Sequence, residues 1–320
     1  MTPLFDPIFI LGITKRSGTN YLRDLLCLHP DGYGPGPIWE NYALDHAEML
    51  ALYSRFTYNR WNPKWKVAQK IGPPELMQAY LGDGLLNFFN LQILNPQKLH
   101  FDPDHLPFAP SLRLITKSPG ADNLPYFFRL FPRAKLLIVI RDGRAVTESC
   151  VKSFGRSYET AMREWNDGAQ TILAFDEKYR HSEYQYRLVR YEDLYQDLAG
   201  ELSRILQFLN MDSTRFPFEK ALNLPVRGSS ELAQSGTLHW QAVEKKKDFD
   251  PTHRFKHWGA PTHERFNWVA GESQRALGYD LTTPQFSPKA IIRNLALDAL
   301  WRPTWPIRQT LRKLRYMVGK

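Results

Sequence analysis

The chain has few of the features that mark secreted, membrane-spanning or disulfide-rich proteins. It has only two cysteines, Cys27 and Cys150, in 320 residues, which is too few for a disulfide framework. No apolar run approaches the ~20 residues that a membrane-spanning helix needs. Residues 1–7 carry no basic region ahead of an apolar stretch, so we expect neither a signal peptide nor a membrane anchor. These absences predict a globular, cytoplasmic protein whose two thiols serve packing.

Motifs for covalent catalysis and for metal binding are also missing. The sequence has no Gly-x-Ser-x-Gly elbow, and neither cysteine has an evident histidine partner. His253, His257 and His263 surround Trp258, but a zinc site would need further ligands and a closed geometry. We therefore expect no covalent nucleophile and no bound metal.

Positive charge is abundant. The 42 Lys and Arg residues outnumber the 33 Asp and Glu residues, giving a formal net charge of +9 at pH 7. Such an excess attracts nucleotides, nucleic acid and acidic lipid alike, so charge alone does not select the partner. The basic residues are scattered along the chain, which disfavours a nucleic-acid patch. A hydrophobic content of 43% is ample for a substantial core.

Short apolar runs alternate with segments of helical spacing. The predicted core strands are 8–11, 112–116, 136–140 and 186–190. The predicted helices are 19–28, 124–130, 143–154, 159–179, 198–209 and 264–277. This alternation predicts an α/β fold with an open, P-loop-like parallel sheet, helices on both faces, and ligands at the carboxyl ends of the strands.

Two regions depart from this alternation of strands and helices. Residues 31–110 are rich in glycine, proline and aromatic residues, including Phe56 and Trp65. We interpret them as a helical cover whose aromatic side chains pack on the sheet, and an acceptor-binding insertion is the alternative. The domain is expected to end near residue 285, and residues 286–320 form a basic amphipathic tail. The tail could be a helix docked on the domain, or it could contact an anionic membrane surface or a partner.

The segment Gly12 to Asn20 lies between the first strand and the first helix, as phosphate-binding loops do. Backbone N–H groups and the helix dipole favour an anion at such a position. A Walker motif would place lysine after Gly18, but Thr19 follows it, and the cations Lys15 and Arg16 come earlier.

A second loop follows the strand 134–140, which ends in Arg141 before Asp142. A kinase or ATPase would need a carboxylate there to hold magnesium, whereas an arginine binds an anion directly. The two loops therefore suit a ligand with two separate anionic groups and no metal between them.

These loops and several other segments together are similar to a known family. The first loop is followed by His29-Pro30, and the second segment runs from Val139 to Ser149. Further matching segments are 117–119, 130–135, 190–194 and Gly278-Tyr279. The ordered set resembles the sulfotransferases that use 3′-phosphoadenosine-5′-phosphosulfate, in particular the protein-tyrosine sulfotransferase branch and its bacterial relatives, over residues 7–280. This resemblance implies the sulfotransferase fold.

The resemblance also implies which residues bind the donor and its product, adenosine 3′,5′-bisphosphate. Arg141 and Ser149 would hold the 3′-phosphate, and Tyr191 would lie beside the adenosine, although a core tyrosine is the alternative. Ser229 or Ser230 would belong to a segment covering the nucleotide, or to a plain surface loop. The 5′-phosphosulfate would be bound by Lys15, Arg16, Ser17, Gly18, Thr19 and Asn20.

Three of these positions are the predicted catalytic residues. Arg16 would meet the charge that develops on the departing phosphate, and Lys117 would reach the sulfuryl group. Glu40 would be the general base, with a solvated or helix-capping glutamate as the alternative. The predicted reaction is direct in-line sulfuryl transfer to a hydroxyl or amine acceptor.

Other classes of function remain open at this point. An ATP-dependent small-molecule kinase is one, and a non-catalytic basic protein that binds nucleotide or membrane is another. The acceptor is equally open among carbohydrate, lipid head group, phenol and peptide tyrosine. Ser153 stands where the protein-tyrosine branch has an arginine one turn after the 3′-phosphate serine.

Overall fold

The computed structural model describes residues 7–34, 40, 44–45, 47–94, 113–227, 242–243, 250–282 and 286–317. Its centre is a five-stranded parallel sheet with the strand order β2-β3-β1-β4-β5. The strands are β1 Ile8–Gly12, β2 Gly32–Tyr33, β3 Arg113–Ser118, β4 Lys135–Ile140 and β5 Tyr186–Arg190. A separate antiparallel pair consists of β6 Val226–Arg227 and β7 Ala242–Val243.

Twelve α-helices are assigned within this part of the chain. They are α1 Thr19–Leu26, α2 Ala47–Arg60, α3 Val67–Ile71, α4 Pro74–Leu94, α5 Phe127–Leu130, α6 Gly143–Phe154, α7 Tyr158–Tyr179, α8 Tyr191–Gln196, α9 Leu198–Leu209, α10 Phe218–Leu222, α11 Ala260–Ala276 and α12 Pro288–Met317.

Side chains that alternate along the strands build a core on each face of the sheet. On β1, Phe9 and Leu11 belong to one core together with residues of α5, α6, α7 and α11. Ile8 and Ile10 belong to the other core, with residues of α1, α8, α9 and α10. Successive strand residues point to opposite faces, so burial of all of them requires a helical layer on both sides. The predicted fold class is confirmed.

The strand order positions the site. β1 lies at the centre, with Ile10 opposite Lys117 of β3 on one side and Leu137 of β4 on the other. From β1 the chain runs to β2 at one edge of the sheet, returns through β3 beside β1, and then crosses to β4 on the other side of β1, so the connections leave in opposite directions. Ligands of such sheets bind in the crevice at the carboxyl ends of the strands beside this reversal.

The element bounds refine the sequence prediction. The helices 143–154 and 198–209 are found as predicted. The first helix ends at Leu26 instead of Leu28, because the N–H groups of Leu28 and His29 bond to carbonyls three residues back. The predicted helix at 124–130 begins with a 3₁₀ turn that contains Pro125.

The region before β3 is helical in α2, α3 and α4. The prediction that its aromatic side chains pack on the sheet is wrong for Phe56 and Trp65, which are 64% and 57% exposed. The side of α2 that packs is lined by small residues, Ala47, Ala51 and Ser54.

The C-terminal helix α12 docks on α7 and α11 mainly through polar contacts. Asp298 accepts hydrogen bonds from Arg163 and Arg265, both at 2.8 Å, and from Trp268 at 2.9 Å. The Trp305 indole donates to Asp167 at 2.8 Å. Within the described ranges, no helix combines the length and the apolar character that crossing a bilayer requires.

Candidate active site

The loop between β1 and α1 has an unusual backbone that its own side chains hold. Arg16 has φ 76 and Gly18 has φ 105, both in the left-handed region. That conformation costs an arginine about 1 to 3 kcal/mol. The Ser17 hydroxyl donates to the Thr14 carbonyl at 2.6 Å and accepts from the Thr14 N–H at 3.3 Å. Because these bonds fix the turn, Arg16 is held in a conformation it would not otherwise prefer.

Gly18 allows the loop to approach the aromatic ring of Tyr191. A Cβ atom at Gly18 would lie 2.3 Å from Cδ2 of Tyr191, so only glycine fits. Gly18 is also the N-cap residue of α1, and it makes no side-chain cap. The N–H groups that begin α1, from Thr19 and Asn20 onward, therefore face the loop with the positive end of the helix dipole.

The second loop meets the first. Arg141 follows β4, and its Nη1 donates to the carbonyl of Arg16 at 2.8 Å. The Arg141 guanidinium lies 4.3 Å from the centre of the Tyr191 ring. Ser149, two turns into α6, accepts a hydrogen bond from Nε of Arg16 at 3.0 Å. Predicted residues from the two loops and from α8 thus form one cluster.

A further arginine, which the sequence reasoning missed, completes this cluster. Nη1 of Arg254, in the segment before α11, donates to the same Ser149 hydroxyl at 3.0 Å. The residues around it form no recognisable spacing motif, so only the fold brings Arg254 to the second loop.

The cluster concentrates positive charge. Burial, together with the charges of Arg254 and Arg141, lowers the pKa of Arg16 to about 10. Among the described residues, no carboxylate forms an ion pair with Arg16 or Arg141. Nε of Arg141 is buried, and it has no hydrogen-bond partner among the residues that the structure describes. The half-buried Arg16 and the buried Arg141, with no carboxylate paired to them among the described residues, are suited to binding an anionic ligand.

Lys117 and Glu40 form a second centre, at the carboxyl end of β3. Lys117 Nζ lies 2.9 Å from Oε1 of Glu40 in an ion pair that spans 77 positions of the chain. The lysine is 2% exposed, and burial lowers its pKa while the Glu40 carboxylate opposes that shift. The structure therefore brings together the predicted sulfuryl-binding cation and the predicted general base.

Another cation near this centre was missed as well. Arg23 of α1 is buried, pairs with Asp24 at 3.0 Å, and adds to the lowering of the Lys117 pKa. Asp24 also pairs with Arg227 of β6 at 2.9 Å. The helical spacing of α1 could have placed Arg23 one turn after Thr19, but no motif distinguished it.

Lys15, Ser229 and Ser230 are the remaining predicted residues. Lys15 Nζ lies 5.9 Å from the centre of the Phe154 ring. Ser229 and Ser230 are outside the described residues, and the interpretation of their segment stays a prediction.

The three histidines considered for metal do not converge. His253 contacts Asp250 at 3.1 Å, and His257 contacts Glu148 at 3.2 Å, which are separate carboxylates. His263 packs against Trp258. In the described ranges, no group of three or more His, Cys, Asp or Glu side chains has an arrangement that could hold a metal ion.

Comparison with known proteins identifies the family. The profile of the sulfotransferase family matches residues 7–215, which is well over half of the chain. The chain belongs to the sulfotransferase family. The matched region contains both loops, Lys117 and Glu40, and it ends before Arg254.

Curated relatives of this sulfotransferase are protein-tyrosine sulfotransferases. Protein-tyrosine sulfotransferase A of Caenorhabditis elegans is 26% identical over 214 residues, covering 64% of this chain and 50% of the relative. Protein-tyrosine sulfotransferase 1 of Homo sapiens is 28% identical over 176 residues, covering 52% of this chain and 41% of the relative. The chain thus spans half or less of the length of these two relatives.

Solved structures share the fold. The sulfotransferase domain from the Synechococcus PCC 7002 olefin synthase superposes with a TM-score of 0.50 at 23% identity, covering 88% of this chain and 99% of the domain. The sulfotransferase domain from the curacin biosynthetic pathway superposes with a TM-score of 0.51 at 20% identity, covering 87% of this chain and 99% of that domain. The expected sulfotransferase fold is therefore confirmed.

Proposed function

We propose that this sulfotransferase transfers a sulfuryl group from 3′-phosphoadenosine-5′-phosphosulfate to a hydroxyl or amine acceptor. The observation that carries the proposal is the cluster that joins the two loops: Arg16 and Arg254 both donate to Ser149, and Arg141 donates to the carbonyl of Arg16. A donor with a 3′-phosphate and a 5′-phosphosulfate needs cations for two separate anionic groups.

The residues of the cluster fit this donor. Arg141, whose buried Nε has no hydrogen-bond partner among the described residues, would hold the 3′-phosphate together with Ser149 and Arg254. Tyr191, between Gly18 and Arg141, would lie beside the adenosine. Arg16 and the backbone N–H groups of residues 17–20 would contact the 5′-phosphate. The donor would supply a sulfuryl group activated by its anhydride bond to phosphate.

The ion pair of Lys117 and Glu40 would act on the acceptor and on the sulfuryl group during transfer. Glu40 accepts the proton of the acceptor hydroxyl as the new oxygen–sulfur bond forms and the bond from sulfur to the phosphate oxygen breaks. The electron pair of the broken bond stays on the phosphate, where Arg16 compensates the added charge. The Lys117 ammonium compensates the charge on the sulfuryl oxygens.

The acceptor is proposed to be a hydroxyl compound, with a peptide tyrosine as the first to try. The names of the curated relatives support that choice. Ser153, in place of the arginine of the protein-tyrosine branch, is a reason to extend the screen. The panel should add simple phenols, carbohydrates and lipid head groups.

The test is transfer of radiolabelled sulfuryl from the donor to this acceptor panel, with Arg16→Ala as the inactive control. We expect labelled acceptor and an equal amount of adenosine 3′,5′-bisphosphate. Transfer of phosphate from ATP with magnesium, and none of sulfuryl, would instead identify a kinase. Tight binding of adenosine 3′,5′-bisphosphate with no labelled acceptor would indicate a binding protein.

A further inference from the structure

The side of α12 that faces away from the domain is apolar. Ile292, Leu300, Ile307, Leu311 and Leu314 are each between 48% and 70% exposed, and we call them the outer face of α12. They are spaced by eight, seven, four and three positions, which places them along one stripe of a helix.

The opposite side of the helix, which docks on the domain, carries buried polar side chains together with Ala290 and the half-buried Trp305. Asn294 and Asp298 are buried against α11 and α7, and Arg312 donates to Glu164 of α7 at 2.6 Å. A surface helix normally turns its apolar side to the protein and its polar side to water. Because α12 leaves five large apolar side chains exposed while polar side chains hold it to the domain, we expect an apolar environment outside the domain to cover its outer face.

The charges of α12 indicate the chemistry of that environment. Its only acidic residue is Asp298, which is buried. Lys289, Arg302 and Arg308 are exposed. The basic residues of the helix are Lys289, Arg293, Arg302, Arg308, Arg312, Lys313 and Arg315. Two copies of so basic a helix would repel each other, whereas an apolar surface with anionic head groups complements it.

We propose that the outer face of α12 docks the protein on the surface of a bilayer that contains anionic lipid. The helix lies in the interface with its five apolar side chains among the acyl chains and its exposed lysine and arginines at the head groups. This inference does not depend on the proposed sulfuryl transfer.

The test is co-sedimentation of the full chain with phosphatidylcholine vesicles, with and without phosphatidylglycerol. The triple variant Ile292→Gln, Leu300→Gln, Ile307→Gln removes apolar side chains from the outer face. The control Leu222→Gln changes a leucine of α10 that is 60% exposed. Circular dichroism verifies the fold of both variants, and light scattering gives their oligomeric state.

We expect binding to the phosphatidylglycerol vesicles that weakens as salt rises, because salt screens the attraction of exposed charges. The triple variant should bind at least about tenfold more weakly, and Leu222→Gln should bind like the unchanged protein. A Lys289→Gln, Arg308→Gln variant should also bind more weakly to the vesicles that contain phosphatidylglycerol. Its binding to vesicles of phosphatidylcholine alone should be unchanged. Equal binding by the unchanged protein and the triple variant would overturn the proposal, as would no binding. A dimer in solution that the triple variant dissociates would instead identify a second copy as the partner.

Discussion

The Nε hydrogen of Arg16 is donated to the hydroxyl of Ser149 over 3.0 Å. This bond joins the loop after β1 to the helix after β4, residues that are 133 positions apart in the chain. Arg141, which follows β4, donates a hydrogen bond to the carbonyl of the same Arg16. The two anion-binding loops expected from the sequence therefore form one continuous site, with Arg16 at their junction.

Replacing Arg16 by alanine should abolish most of the activity while the fold is retained. Removal of a group that stabilises transition-state charge costs about 10²- to 10³-fold in turnover. Arg16→Lys should recover only part of it, because an ammonium cannot make the two-pronged contacts of a guanidinium. Turnover with the donor is the measurement. Arg133→Ala is the matched control, since that side chain is 71% exposed. Unchanged turnover in Arg16→Ala would contradict the role given to this residue.

Gly18→Ala should destabilise the protein more than Gly155→Ala does. Both glycines have positive φ, which costs an alanine about 1 to 2 kcal/mol. At Gly155 no atom of the described residues lies within 4 Å of the added methyl, but at Gly18 the methyl would lie 2.3 Å from the Tyr191 ring. The collision should add about 1 to 3 kcal/mol to the loss in free energy of unfolding, measured by urea denaturation. Equal losses in the two variants would mean that the ring of Tyr191 moves aside without cost.

Glu40→Gln should retain nucleotide binding and lose transfer. The amide keeps the size of the side chain but cannot accept a proton, so turnover should fall about 10²- to 10⁴-fold. Glu219→Gln, at an exposed position of α10, is the control. Nucleotide affinity and single-turnover rate are measured on the same samples. A normal rate in Glu40→Gln would remove it as the base.

Lys117→Met should lower turnover about a hundredfold or more, because it deletes the cation beside the reacting group. The methionine fills a similar volume in the buried position, which limits the structural cost. If the variant instead binds nucleotide weakly and turns it over at the normal rate once saturated, Lys117 acts in binding alone.

Local pattern predicted four of the five strands of the central sheet and the two loops that carry Arg16 and Arg141. Arg141 follows β4 directly and Arg16 lies four residues after the end of β1, so the parallel sheet places both at the same edge. Arg254 could not be found in this way, because it reaches Ser149 from a segment 105 positions later. Its place depends on how α11 packs, which is a tertiary effect.

The surface of the helices before β3 was equally hard to predict. Aromatic residues such as Phe56 bury large areas in most proteins, so burial was the natural expectation. Small residues of α2 pack instead, and Phe56 remains in contact with water. Hydrophobic character fixes neither which side of a helix docks nor whether an apolar side is covered.

Asp298→Asn should weaken the docking of α12 in a manner that depends on pH. Burial alone would raise the pKa of Asp298, but hydrogen bonds from Trp268 and Arg265 outweigh it and lower the pKa to about 2. Because the folded-state pKa lies below the unfolded value of about 3.9, the carboxylate stabilises the fold above about pH 4, and this contribution is lost as the pH falls toward 2.

The variant should therefore lose about 2 to 3 kcal/mol of unfolding free energy near neutral pH, and this deficit should shrink between about pH 4 and 2. Urea denaturation at a series of pH values is the measurement. Asp193→Asn is the control, because that carboxylate is 48% exposed and 3.9 Å from Arg190. A deficit that stays constant across this range would contradict the ion-pair account.

We expect the cluster of Arg16, Arg141, Arg254 and Ser149 to bind the two phosphates of a 3′-phosphorylated adenine nucleotide. The most direct test of this binding is the melting temperature with adenosine 3′,5′-bisphosphate in EDTA, for the unchanged protein, Arg16→Ala and Arg133→Ala. At a hundredfold excess over the dissociation constant, we expect a rise of about 2 to 4 °C in the unchanged protein and in Arg133→Ala, and none in Arg16→Ala. Stabilisation by ATP with magnesium, and none by adenosine 3′,5′-bisphosphate, would contradict it.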